Sequence, residues 1–253
     1  MVVPGSSDTA RTSGAVGWLS SLPGVSTAST LPTGQDQGTG TVLPVPPALE
    51  SALPSGGLRR GSTVSVRGSR ALLFTLLAEA TTRGSWAAVV GMPDIGVAAA
   101  AELGVDVRRL AVVPAPGTEI LPVVGALLDG VDLVVLGGGL PARQSLPRRQ
   151  TERLLARARQ RGAVLLTEGP VPGAELELHC LSRRWQGLEE QGGTVHVGCA
   201  PGYLRECELT VRGSGRRAAA RPQDVHVLLP GPGGGAVAPA VSHDVPVREL
   251  VAG

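Results

Sequence analysis

The sequence predicts an α/β fold, a doubly wound and mainly parallel sheet followed by a β-rich extension. Three observations carry that prediction. Between Val42 and Pro172, strand-length apolar runs alternate with helix-length amphipathic ones, the rhythm of βαβ units. After Pro170 the rhythm changes to short alternating runs separated by Gly-Gly and Pro-Gly turns. The two ends of the 253-residue chain differ again: residues 1–41 are rich in Ser, Thr, Gly and Pro, and residues 230–253 in Gly and Pro. Such ends bury too little to offset their ordering entropy, so the expected plan is a disordered tail (1–41), an α/β core (42–172), a β-rich extension packed on the core (173–229) and a flexible tail (230–253).

Taken in order, Thr63–Arg67 alternates like a strand, and Ala71–Arg83 reads as a helix with Leu72, Leu73, Leu76 and Leu77 on one side. Trp86–Val90 is the next strand and Asp94–Leu103 an alanine-rich helix. Leu110–Val113 is a third strand, Glu119–Leu128 a helix that Pro122 interrupts early, and Val131–Leu136 a buried strand. Leu146–Arg161 is an arginine-studded helix, and Ala163–Thr167 completes five strands separated by helices. Beyond them, Glu175–Trp185, Thr194–Val197, Glu206–Arg212 and Val225–Leu229 read as short antiparallel strands or hairpins. In the N-terminal tail only Gly17–Gly24 has apolar spacing, through Trp18, Leu19 and Leu22: a docking helix for a partner, or a stray apolar turn.

Composition narrows the chemistry. All 23 basic side chains are arginine. With no lysine there is no Schiff base, no lysine general base and no lysine to bridge phosphates. Asparagine is also absent and isoleucine scarce, so a GC-rich coding sequence accounts for the count over most of the surface. The five aromatics, Trp18, Phe74, Trp86, Trp185 and Tyr203, leave an aliphatic core and little stacking surface for single strands. A formal charge of +2 makes no nucleic-acid claim. Cys180, Cys199 and Cys207 are odd in number and lack CxxC spacing, which fits a reducing compartment. With no basic-then-apolar leader and no long apolar run, the chain reads as soluble and cytoplasmic, without membrane partners.

In an open sheet the first strand-to-helix turn is where ligands bind, and here it is Arg67-Gly68-Ser69-Arg70. A phosphate loop needs G-x-x-x-x-G-K-[ST]; counted from Gly68, its last three places fall on Leu73, Phe74 and Thr75. Arg70 can attract an anion near a helix N-terminus or stand solvated. The strand ending at Leu136 should close on a metal-binding acid, but Gly137-Gly138-Gly139 follows, and Asp132 lies at the opposite end, where a capping or solvated role is expected. No magnesium-nucleotide chemistry, cofactor or metal is therefore expected.

The segment Leu49–Gly61, LESALPSGGLRRG, followed by a strand, a turn, a helix and LGVDVRRLAVVPAPGTEILPVVGALLDGVDLVVLGG, resembles the bacterial RecA recombinase core over roughly Val45 to Glu168. The resemblance departs where the enzyme acts. The phosphate loop is shortened, the metal-carboxylate position reads as Gly137, and Gly91-Met-Pro-Asp94 stands where the recombinase has its catalytic glutamate, a role not carried over to Asp94. Among RecA-like proteins the pattern is similar to the actinobacterial ImuA-type accessory proteins of the DNA-damage mutasome, with a decayed nucleotide site and an arginine-containing β-rich tail. That resemblance implies a non-catalytic adaptor in translesion synthesis, working beside an ImuB-type Y-family-like protein and an error-prone replicative-type polymerase.

Candidate contact surfaces are Arg149, Arg153, Arg157 and Arg161, at i+4 steps along one helix face, and Arg183, Arg184 and Trp185 in the extension. The helical stripe reads either as a partner or weak DNA contact or as a solvated face. Arg212, Arg216, Arg217 and Arg221 form a second basic cluster. Self-association is a further possibility. His179-Cys180, His196-x-x-Cys199 and Cys207 invite a zinc reading, but their spacings match no common module and structural roles in strands are expected. His243-Asp244 and Ser69 lack the surroundings of a nucleophile system.

Overall fold

The computed structural model describes residues 41–138, 148–186, 206–215, 222–231 and 234–239. Gly17–Gly24, Thr194–Val197, His196, Cys199, Arg216, Arg217, Arg221 and His243-Asp244 lie outside them. Among the described residues no helix is long and apolar enough to cross a membrane.

The described residues start with a small two-stranded sheet, β1 (Val42–Leu43) against β2 (Leu58–Arg59), with a one-turn helix α1 (Pro47–Glu50) between them. This lead-in is ordered by its apolar positions: Leu43, Val45, Leu49, Ala52, Leu53 and Leu58 are all buried. Gly57 is required by contact, since a Cβ there would stand 2.5 Å from the Leu43 carbonyl oxygen.

Then follow β3 (Thr63–Arg67), α2 (Arg70–Thr82), β4 (Ala87–Val90), α3 (Val97–Glu102), β5 (Leu110–Val113), α4 (Ile120–Gly130), β6 (Leu133–Leu136), α5 (Arg148–Arg161) and β7 (Val164–Glu168). The five expected strands are all present within a few residues. Pro122 does not interrupt its helix; it falls in the first turn of α4, where a missing N–H costs nothing. The alanine-rich helix is shorter than expected, because Pro93 and Gly96 hold the preceding residues in a turn.

The strands β8 (Leu176–Gln186), β9 (Glu206–Gly215) and β10 (Gln223–Leu229) complete one eight-stranded sheet, ordered β10-β9-β8-β3-β7-β6-β4-β5. Strands β8, β3, β7, β6, β4 and β5 run parallel, and β9 runs antiparallel to both neighbours. The β-rich stretch is thus not a unit packed on the core. It continues the core's sheet, because β8 pairs with β3 from Val64↔Leu176 to Arg67↔His179.

Two apolar layers hold the sheet. On one face α1, α2 and α3 cover Val64, Val66, Val89, Val135, Leu166 and Leu178; on the other α4 and α5 cover Val90, Val134, Leu136 and Leu165. Strands β4 and β6 are buried on both faces and accordingly read as unbroken apolar runs. Among the described residues, strands β8 to β10 are covered on one face only. Their outer face is polar, with Arg212 in a two-bond pair to Asp224 and Thr210 joined to Ser182 and His226. The expected flexible tail is in part held down: Gly235 N–H donates to the Glu102 carbonyl at 2.8 Å, and Val237 bridges Leu228.

Candidate functional site

At the C-terminal ends of β3 and β7 the structure opens a cleft of about 810 Å³. Its floor is the turn after β3, its helical wall is α3 with Glu102 and Leu103, and its β wall is the far end of β8 and β9 with Arg183, Trp185, Cys207 and Leu209. This is the edge at which open parallel sheets bind ligands.

The floor is a tight turn whose polar groups are engaged within the chain. Gly68, at φ +83°, turns the chain at once into α2, and a Cβ on it would lie 2.9 Å from the Cys180 carbonyl oxygen. Ser69 accepts the Leu72 N–H through its Oγ at 3.2 Å, so the helix terminus is already capped by its own chain. Arg70 is half exposed to solvent and at the same time paired. Its Nε donates to Glu168 Oε1 at 2.6 Å, and Glu168 Oε2 accepts the Gly138 N–H at 2.8 Å. One carboxylate therefore ties the start of α2 to the end of β6 across the floor. Burial pushes the Glu168 carboxyl up, but the Arg70 guanidinium and the Gly138 N–H outweigh it and hold the group below its ordinary value. The same hydrogen bond and charge raise Arg70, with a smaller push from Asp94 nearby. Arg67 is likewise engaged, donating to Glu177 at 3.0 Å.

Gly137 has a steric reason to be glycine. A side chain there would drive its Cβ to 2.6 Å from the Gly91 carbonyl oxygen and into Met92. A metal-binding carboxylate does not fit at that position without moving the β4 loop.

Asp132, at the opposite end of β6, is neither a helix cap nor solvated. It is buried, accepts the Trp86 N–H at 3.0 Å and takes Arg60 Nη1 at 2.8 Å. It joins the start of β4 to the loop before β3, and its role is packing.

The β wall depends on an irregularity. The register between β8 and β9 shifts at Leu181, where a β-bulge separates Cys180 from Ser182. Up to the bulge, Leu176, Leu178 and Cys180 face inward and Glu177 and His179 outward. Past it the parity inverts: Arg183 pairs with Leu209 and Trp185 with Cys207, on the inward face, whereas Ser182 and Arg184 face out. The bulge re-aims Arg183 and Trp185 over the cleft, a known use of bulges. Leu181 is left 41% exposed and Trp185 54%.

The structure thus divides the candidate contact residues. Arg183 and Trp185 line the cleft and Arg184 does not. On α5, Arg157 and Arg161 both bind Asp129, whereas Arg149 and Arg153 are exposed and make no ion pair among the described residues. Cys180 and Cys207 face the core and His179 the outer side, so these three do not converge. Burial pushes both thiols up. Among the described residues no group of three or more His, Cys, Asp or Glu comes together as a cation site.

Sequence reasoning missed Glu168, Glu102 and Asp129. Glu168 had a signal, since it is the last residue of an apolar strand and precedes a glycine, the same test applied to β6. Glu102 and Asp129 end or nearly end helices whose neighbours only the tertiary fold defines.

A family model described as MT3502 N-terminal domain matches residues 51–173. The uncharacterized protein Rv3395c of Mycobacterium tuberculosis is 45% identical over 134 residues, which span 52% of this chain and 61% of that protein. The matched family region runs from the lead-in to the start of the β-rich stretch and contains the turn, Gly137 and Glu168.

Proposed function

We propose that this chain is a RecA-like scaffold that has given up nucleotide chemistry and serves as an adaptor in DNA-damage-induced, mutagenic lesion bypass. The carrying observation is the cleft floor, where Glu168 holds both Arg70 and the Gly138 N–H. A bound phosphate would have to displace a carboxylate from the two donors best placed to receive it, and a carboxylate in that position repels anions. The occluded Gly137 supports the same reading, because the chain has no room for the acid that would hold a metal there. Together with the missing lysine, this describes a pseudo-ATPase.

The RecA-like core and the ImuA-type setting rest on the sequence resemblance, to which the doubly wound sheet is congenial. In that setting the partners are an ImuB-type Y-family-like protein and an error-prone replicative-type polymerase, and the compartment is the cytoplasm. Arg149 and Arg153, exposed and without ion pairs among the described residues, favour a secondary weak contact with DNA phosphates or an acidic partner.

The decisive experiment deletes the gene and measures mutation frequency and survival after ultraviolet damage. Loss of induced mutagenesis, restored by the intact gene, is expected; unchanged mutagenesis and survival sink the adaptor reading. Millimolar ATP with magnesium should leave the melting temperature and phosphate release unchanged, and a ligand-induced rise in Tm would restore the nucleotide reading.

A further inference from the structure

We propose that the cleft is a receptor groove for a short linear segment of a partner protein, an apolar anchor carrying a carboxylate toward Arg183 and a cation toward Glu102. The proposal rests on the adaptor reading and specifies what the adaptor grips.

The charges of the rim decide the chemistry. Arg70 is paired with Glu168 and Arg67 with Glu177. Arg183 and Glu102 make no ion pair among the described residues, and they stand on opposite walls. A cleft that, among the described residues, sets an unpaired cation facing an unpaired anion suits an occupant of mixed charge. A polyanion such as a nucleic-acid strand gains Arg183 but meets Glu102 and Glu168.

The walls between those charges are apolar. Leu209, Leu229 and Cys207 extend the core surface to the cleft, and Trp185 overhangs it half exposed. Leaving tryptophan in water is unfavourable, and the bulge that aims it inward also forgoes regular pairing at Leu181. Trp and Arg are the residue types that most often dominate the energy of protein contacts. A volume of about 810 Å³ is that of a ligand cleft, enough for a few side chains and too small for the face of a folded domain.

The test selects a random-peptide display library on the purified full chain, then repeats the selection on Arg183→Glu and on Glu102→Arg. Wild type is expected to enrich peptides with an apolar or aromatic anchor, an acid at one end and a base at the other. Arg183→Glu should exchange that acid for a base, and Glu102→Arg should invert the charge at the other end. A selected peptide should lose roughly thirtyfold or more in affinity on Trp185→Ala, and should perturb Trp185 fluorescence in a Trp18→Phe, Trp86→Phe background. Unchanged Tm in each variant separates binding from folding.

No enrichment from the folded chain, or a consensus indifferent to both charge reversals, overturns the proposal. So does tighter binding of a single-stranded oligonucleotide than of any peptide at the same Trp185, or loss of a dimer in Trp185→Ala, which would give the cleft to a second copy. These outcomes leave the deletion phenotype untouched. If mutagenesis depends on the gene but not on Trp185 and Arg183, the groove fails and the adaptor reading stands.

Discussion

The two ends of the sheet are built with the same device and use it differently. At the N-terminal ends of the strands, Asp132 accepts one backbone N–H, from Trp86, and one arginine, Arg60. At the C-terminal ends, Glu168 accepts one backbone N–H, from Gly138, and one arginine, Arg70. The difference is water. The Asp132 side chain is 9% exposed, whereas that of Glu168 is 27% exposed and its arginine 50%. Where water is excluded, removing one member strands a charge, so the clamp is structural. Where water enters, the clamp can be replaced, and its effect is to occupy donors that an anion would otherwise find.

That contrast can be broken by substitution. Asp132→Ala should cost the most, about 3 kcal/mol, because it leaves Arg60 without its partner beside an Nε already buried without an acceptor, and the Trp86 N–H unpaired. Urea unfolding measures it, and a loss as small as at a surface pair would erase the distinction between the ends. Gly137→Ala should follow at about 1–3 kcal/mol, since the Gly91 carbonyl must move to admit a methyl group. If it is neutral, the β4 loop yields easily and glycine there is not sterically required.

Glu168→Gln should cost about 1 kcal/mol or less, discounted for its exposure. Its pH dependence sharpens the comparison. The Glu168 carboxyl lies below its ordinary value in the fold, so its contribution is complete above the unfolded carboxyl range and is lost as pH falls through the depressed folded value. The difference in stability between wild type and Glu168→Gln should therefore shrink on acidification; a difference that grows would reverse the assigned sign. The smallest effect belongs to Asp129→Asn, which frees Arg157 and Arg161 at the surface and should cost under about 1 kcal/mol, less still at high salt.

Much of the fold was legible because its signals are local. Alternation in Thr63–Arg67, the unbroken run in β6 and the leucine rows of α2 each lie within a few residues of themselves. The emptied phosphate turn was legible for the same reason, as a count of positions from Gly68. The site was harder to read. Arg70 read as a solvated side chain more readily than as an anion contact, and its partner stands 98 residues away. Asp132 read as a cap or a solvated group because nothing near it in sequence covers it; Arg60, 72 residues earlier, does. The inward turn of Trp185 depends on one extra residue in β8, and only pairing with β9 reveals which residue is extra.

By itself the sequence determined which segments become strands and helices, and that the first strand-to-helix turn lacks the lysine and the spacing of a phosphate loop, because backbone preference and side-chain period act over one or two turns of chain. Only the tertiary structure decided that the β-rich stretch would join the sheet beside β3, that Glu168 would close the floor, and that two tryptophan-end residues of β8 would look into a cleft. Those outcomes depend on contacts between residues tens of positions apart, whose partners are chosen by burial, register and charge once the chain has closed on itself.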